Sequence, residues 1–287
     1  YVVINPSYTL AQRRLEVAIS QARRHRRLGR GIRGGSFDFD IIVRPGPVGY
    51  VMGEETALVS FLEGEVGPRV TPPYVTESGL NDQPTIVANV ETYARLTTIP
   101  FGSEEEGPPP TRLFTLEGTA NTGVAEVEVG TTIRDLVCGI GATAEKEIKA
   151  VCIGGRIGGI LSPDLLDTPL TQQSYRWLGI WPGTGLVTVL DSSSSILTWL
   201  QDHLCFAAQE SCGYCTPCRE GLAQAQRIAE RLGEGQGQAS DLSLLDQLAQ
   251  YVKSSSMCSY GYAVPSGITT AVRYFGKEIR EQIATRQ

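Results

Sequence analysis

The sequence predicts a multidomain α/β protein ending in a four-helix bundle, and three observations carry that prediction. Helical and strand-like periods alternate through residues 1–101. Three glutamates and three prolines between Gly102 and Pro110 read as a linker. From Asp191 onward, apolar residues recur at intervals of three and four. The expected organisation is an α/β segment over 1–101, a linker over 102–110, a strand-rich domain over 111–190 and a helical domain over 191–287.

In the first segment, Leu10, Leu15, Val17, Ile19 and Ala22 predict an amphipathic helix from Thr9 to about Leu28. Its end carries Arg23, Arg24, Arg26, Arg27, Arg30 and Arg33, which complement the negative end of the helix dipole. The cluster reads first as a solvated helix end and second as a docking face. Phe37, Phe39, Ile41 and Val43 alternate as a strand, and Pro45 to Gly49 makes a turn. Gly53-Glu54-Glu55-Thr56 then starts a helix that turns Ala57, Leu58, Phe61 and Leu62 to the core. Two acids in a first helical turn suit the positive end of the dipole.

In the second segment, Arg112–Glu117 and Val124–Val129 form a hairpin, and Thr131 to Val137 a short capped helix. With strands at Ala150–Ile153 and Leu186–Leu190, these elements fit a β-grasp domain. Gly154 to Gly159 is glycine-rich but lacks the spacing and following helix of a phosphate loop, so it reads as a turn. Cys138 and Cys152 read as small buried hydrophobes.

The bundle's first helix is capped by serines and carries Ile196, Leu197, Leu200 and Leu204 on one face. Arg219 to Leu232 is the second, and Leu242, Leu245, Leu248 and Val252 mark the third after a break at Gly233 to Gln238. Pro265 opens the fourth, with Ile268, Val272, Phe275, Ile279 and Ile283 facing inward. The cysteines of interest fall in the loops between these helices.

A net charge of -6 and a pI near 5.1 disfavour nucleic-acid binding, which needs a basic surface. The sequence has no apolar run of membrane-spanning length and no signal-peptide pattern. Seven cysteines, the closest at metal-ligand spacing, argue for a reducing compartment. With only two histidines, nucleophilic triads are poorly supported. His25 has no evident catalytic partner, and His203 reads as a polar helix-face residue rather than a ligand.

The chemistry concentrates in Glu210-Ser-Cys-Gly-Tyr-Cys-Thr-Pro-Cys-Arg-Glu-Gly221, with Cys258 about forty residues later. Two consecutive C-x-x-C spacings and a distant fourth thiol suit an iron-sulfur cubane better than zinc, whose sites usually arrive as two separated pairs. Zinc and disulfide-bonded or coincidental cysteines stay open on spacing alone.

That run resembles the cluster motif of the NADH-oxidising, FMN-containing subunit of respiratory complex I and of the related diaphorase subunits of NAD-linked hydrogenases and formate dehydrogenases. Gly53-Glu-Glu-Thr-Ala-Leu58, Leu62-Glu-Gly64, Tyr74 and Val87-Ala-Asn-Val-Glu-Thr92 follow in that family's order. The resemblance implies the end of an α/β FMN/NADH-binding domain, a β-grasp domain and a four-helix bundle carrying a 4Fe-4S cluster. It implies Cys212, Cys215, Cys218 and Cys258 as cluster ligands. It also implies FMN and NAD(H) contacts at Tyr50, Gly53, Glu54, Glu55, Tyr74, Val87, Ala88, Asn89 and Thr92. Glu55 is the first nicotinamide-side residue, and Tyr74 stacks near adenine. The family's glycine-rich flavin loop is expected before Tyr1. Local departures are Met52, Thr71, Ala88, Ser259 and Tyr260.

The implied activity is electron transfer in a multisubunit oxidoreductase, between NAD(H)/FMN and the cluster, with no catalytic acid or base. Implied partners are other iron-sulfur subunits, including a small 2Fe-2S thioredoxin-like one, at the cytoplasmic or matrix face of a larger complex. Two alternatives are a non-catalytic relay that keeps the cluster without flavin and a zinc-stabilised interaction module.

Overall fold

The computed structural model describes residues 1–69, 72–100, 108–238 and 240–286. Thr71 and residues 102–107 of the expected linker lie outside the described residues. The chain forms two compact units, Tyr1–Val87 and Ala88–Gln287.

In the first unit, strand β1 (Val2–Ile4) pairs in parallel with β2 (Val43–Pro45), and helix α1 (Thr9–Arg24) lies between them in sequence. Helix α1 ends before the predicted Leu28 because the chain turns at Arg26, whose φ is 52°. Arg23 pairs with Asp40 at 3.0 Å on the surface, a contact worth at most about 1 kcal/mol. The strand predicted from Phe37 does not form over 37–42. Phe37 and Phe39 stack on each other in the open, and only an isolated bridge joins Phe39 to Gly29. The alternation is present, but no neighbouring strand supplies its hydrogen bonds. Helix α2 (Glu55–Leu62) forms as predicted with a different inward face: Ala57, Val59 and Ser60 are buried, while Leu58, Phe61 and Leu62 are only partly so.

The second unit opens with helix α3 (Val90–Leu96), which local periodicity does not announce. Glu91 accepts from the Leu113 amide at 2.9 Å, and Arg95 donates to the Thr111 carbonyl at 2.9 Å. Strands β3 (Thr111–Glu117), β4 (Gly123–Glu128), β5 (Ile148–Ile153), β6 (Gly159–Leu161) and β7 (Leu186–Asp191) form one mixed sheet in the order β4-β3-β7-β5-β6. The predicted hairpin is β3–β4, and β3 runs parallel to β7. The short helix predicted after it begins later, over Asp135–Ile140, with the Asp135 amide held by the Thr132 hydroxyl. Helix α4 (Gln172–Leu178) follows β6.

Strand β5 reads as a continuous apolar run because it is covered on both faces. Val151 and Ile153 join the core built on Phe114, Leu136 and Tyr175, while Ala150 and Cys152 join the core of the helices. Cys152 is therefore a buried small hydrophobe, as expected, whereas Cys138 is only partly buried. Strand β5 thus packs against both cores of the second unit.

Helices α5 (Ile196–Gln209), α6 (Thr216–Gly233), α7 (Asp241–Ser255) and α9 (Pro265–Arg286), with the short α8 (Ser259–Ala263), pack around Leu197, Leu200, Leu204, Ile228, Leu245 and Ile279. Ser195 caps α5 through the Thr198 amide. Thr270 of α9 accepts from the Ile160 amide at 2.9 Å, so α9 satisfies an edge group of β6 that water would otherwise have to reach. No helix among the described residues is long and apolar enough to cross a membrane.

Candidate metal centre

Three elements position the thiols. Cys212 and Cys215 lie in the loop between α5 and α6, with Cys215 at the N-cap of α6 and Pro217 in its first turn. Cys218, expected in the same loop, lies instead inside the first turn of α6 and is buried. Cys258 is the N-cap of α8. The loop is braced from within: Arg219 donates to the Gly213 carbonyl at 2.6 Å, and the Gly213 amide donates to Ser211 Oγ at 3.3 Å.

The Cys218 thiol is strongly affected by its surroundings. Burial pushes the Cys218 thiol up to about 11; a hydrogen bond from Ser211 opposes this, while Cys215, Cys258 and Cys212 add to it. A metal held by Cys218 would therefore displace a proton, the usual coupling of thiolate ligation to pH. Among the described residues, no group of three or more His, Cys, Asp or Glu side chains is gathered tightly enough to hold a metal ion.

One of the two departures beside Cys258 has a structural role. Tyr260 is buried and its hydroxyl donates to the Ala207 carbonyl at 2.8 Å, fastening α8 to α5, while Ser259 is exposed. Sequence reasoning missed Ser211, Ser256 and Arg219, although a hydroxyl next to a thiol in sequence is a readable signal.

His203 is buried, not on a polar face, and stacks on Trp199. Its Nε2–H donates to the Val264 carbonyl at 3.0 Å, and its buried Nδ1 has no partner within hydrogen-bond distance among the described residues. Burial pulls the imidazole down to about 4; the Arg156 charge adds to that fall and backbone groups at Val264 and Arg156 oppose it. The folded value lies below the unfolded value of about 6.5, so the stabilisation is full above that pH and is lost as pH falls toward 4. The loss is roughly 3 kcal/mol at about 1.4 kcal/mol per unit. Urea midpoints measured between pH 7 and 4.5 are expected to drop in the native protein and stay nearly flat in His203→Phe; equal slopes would reject the assignment.

The expected flavin and nucleotide residues divide between the units: Tyr50, Gly53, Glu54, Glu55, Tyr74 and Val87 in the first, and Ala88, Asn89 and Thr92 in the second. Glu54 caps α2, its carboxylate accepting from the Ala57 amide at 2.9 Å and from the Thr56 hydroxyl at 2.6 Å. Asn89 caps α3 through the Glu91 amide at 2.9 Å. Glu55 and Thr92 are exposed, as is Tyr74, while Val87 and Ala88 are partly covered. Burial pushes the Tyr50 phenol up to about 12. A Cβ on Gly53 would meet nothing within 4 Å, so open space lies beside its backbone.

Residues 199–282 match the NADH-ubiquinone oxidoreductase-F iron-sulfur binding region, and residues 1–98 match the Nuo51 FMN-binding domain. The chain is 32% identical to the second F-type subunit of the NADH-quinone oxidoreductase of Rhizobium meliloti, across 100% of its own length and 71% of that protein. It belongs to the family of NADH-quinone oxidoreductase F-type subunits. This F-family chain is also 34% identical to HndC, a subunit of the NADP-reducing hydrogenase of Solidesulfovibrio fructosivorans, over 98% of itself and 60% of that relative. A crystal structure of NAD+-reducing [NiFe]-hydrogenase in the H2-reduced state superposes with a TM-score of 0.80 at 26% identity, covering 98% of this chain and 48% of that one. The F-family chain thus spans about half to two thirds of the length of these proteins.

Proposed function

We propose that this chain is an electron-transfer subunit of an NADH-oxidising or NAD-reducing multisubunit oxidoreductase. Cys212, Cys215, Cys218 and Cys258 hold a 4Fe-4S cluster. The carrying observation is that Cys212, Cys215, Cys218 and Cys258 lie in the loop before α6, at its N-cap, in its first turn and at the N-cap of α8, all inside the segment matching the iron-sulfur binding region. The donor set fits. A single zinc at about 2.3 Å from each sulfur needs its thiolates about 3.8 Å apart. A cubane takes one thiolate at each iron corner and so accepts a wider set. When bound, the cluster takes up and releases electrons singly, and FMN supplies hydride-accepting chemistry.

The chain's own residues do the rest. Cys215 and Cys218 keep their sulfurs from water, and the amino-terminal end of α6 places positive potential beside them. In the first unit, the open face of Gly53 admits a flat ring, Tyr50 lines its approach and the exposed ring of Tyr74 is free to stack on adenine. Glu55 presents an uncapped carboxylate to nicotinamide, whereas Glu54 and Asn89 contribute what their capping bonds leave over. Val87 in the first unit, and Ala88 and Thr92 in the second, are further proposed flavin contacts. The strand order supports a β-grasp domain over 111–190, and the helix contacts support a four-helix bundle over 191–287. Residues 1–101 then form the carboxy-terminal part of an FMN/NADH-binding domain. Partners are further iron-sulfur subunits, including a small 2Fe-2S thioredoxin-like one, at the cytoplasmic or matrix face of a complex.

Iron and sulfide analysis of anaerobically prepared full-length protein tests the centre; four irons with a reducible paramagnetic signal are expected, and a redox-silent metal would refute it. Flavin fluorescence separates the catalytic reading from a relay without flavin. Glu55→Gln is expected to weaken NADH about tenfold, the ~1.4 kcal/mol of one charge-assisted hydrogen bond. Equal affinity in a reduction titration would remove Glu55 from the nicotinamide side.

A further inference from the structure

Two serine hydroxyls bracket the thiols. Ser211 Oγ lies 3.4 Å from Cys218 Sγ and 3.3 Å from the Gly213 amide nitrogen. The Gly213 N–H can only donate, so it occupies a lone pair on Ser211 Oγ and leaves the hydroxyl proton for Cys218. A sulfur bound to iron carries no proton, which fixes the same direction.

Ser256 is the second. Its Oγ is buried and has no hydrogen-bond partner among the described residues, a state that costs about 1–3 kcal/mol when no acceptor is supplied. A Cβ built on Gly261 would stand 2.4 Å from that oxygen and 3.7 Å from Cβ of Cys218. The Ser256 side chain therefore fills the place a Cβ of Gly261 would take, close to the side chain of Cys218. What Ser256 Oγ lacks is an acceptor, and sulfur of an iron-sulfur cluster held at Cys218 is one.

We propose that Ser211 and Ser256 donate hydrogen bonds to sulfur atoms of the cluster and raise its reduction potential, an inference that rests on the cluster reading above. Reduction adds one negative charge that spreads over sulfur, so a fixed donor stabilises the reduced state more than the oxidised one. Both serines are positioning residues that act through the sulfurs.

The test is a redox titration of full-length protein, followed by electron paramagnetic resonance, in the native chain, Ser211→Ala, Ser256→Ala and the double variant. Each change removes one oxygen and leaves the four thiols in place; matched iron content separates a shifted potential from a lost cluster. At a fixed ambient potential the ratio of reduced to oxidised cluster is expected to fall about threefold to tenfold per serine, tenfold being about 59 mV for one electron. Ser211→Thr, which keeps the hydroxyl, is expected to retain the native potential. Unchanged potentials in all loaded alanine variants would overturn this inference and leave the cluster assignment standing. Absence of any iron-sulfur signal in the native chain would overturn both.

Discussion

Cys215→Ala is expected to abolish the low-temperature paramagnetic signal of the reduced protein and to leave less than a full complement of iron, while the far-ultraviolet spectrum stays native. Cys215 is buried at the N-cap of α6, yet its side chain makes no capping hydrogen bond there. Alanine therefore removes a ligand with little direct cost to the helix. The packing around Leu200, Leu204, Ile228 and Leu245 does not pass through the thiols, so the helices hold without them. A four-iron cluster with one corner unligated is open to solvent and loses iron. Cys205→Ala is the matched control: its thiol lies earlier, on α5, and accepts a weak contact from Gln209 at 3.3 Å. It should keep the signal. A native spectrum in Cys215→Ala would remove this residue from the ligand set.

Gly154→Ala is expected to be strongly destabilising. Gly154 sits at φ 100°, and its Cβ would stand 2.0 Å from the Trp181 carbonyl oxygen, a backbone atom that cannot swing aside. The left-handed backbone costs about 1–2 kcal/mol for a residue with a Cβ. Overpacking adds about 1–3 kcal/mol. At roughly 2–4 °C per kcal/mol for a chain of this size, melting should fall by about 5–15 °C. Trp181 also packs edge-on against Tyr262 of α8, ring centres 5.9 Å apart, so the displacement is aimed at the helix that Cys258 caps. A melting temperature within a degree of native would show that the turn yields. The outcome also bears on the glycine run as a turn: a phosphate loop would lose ligand affinity and keep its stability.

Much of the helical part was legible because its signal is local. Ile196, Leu197, Leu200 and Leu204 repeat at helical spacing and are all fully buried. Strands were legible only where a neighbour exists. Arg112–Glu117 and Val124–Val129 pair as read, but Phe37 to Ile41 alternates just as cleanly and finds no partner strand. Strands β1 and β6 are three residues each, too short for a period-two pattern to register. Helix α3 was missed because its seven residues include no buried one, so it has no apolar stripe to read.

The sequence alone narrowed the ligand chemistry, since thiol type and C-x-x-C spacing favour an iron-sulfur cluster over zinc, and it determined which helix faces are apolar. Only the tertiary structure decided that His203 is buried, that Tyr260 is fastened to α5 and that Ser256 has no acceptor among the described residues. Those contacts join residues 61 and 53 positions apart. A periodic pattern records which side of an element avoids water, while the identity of the group that arrives on that side depends on how distant segments pack.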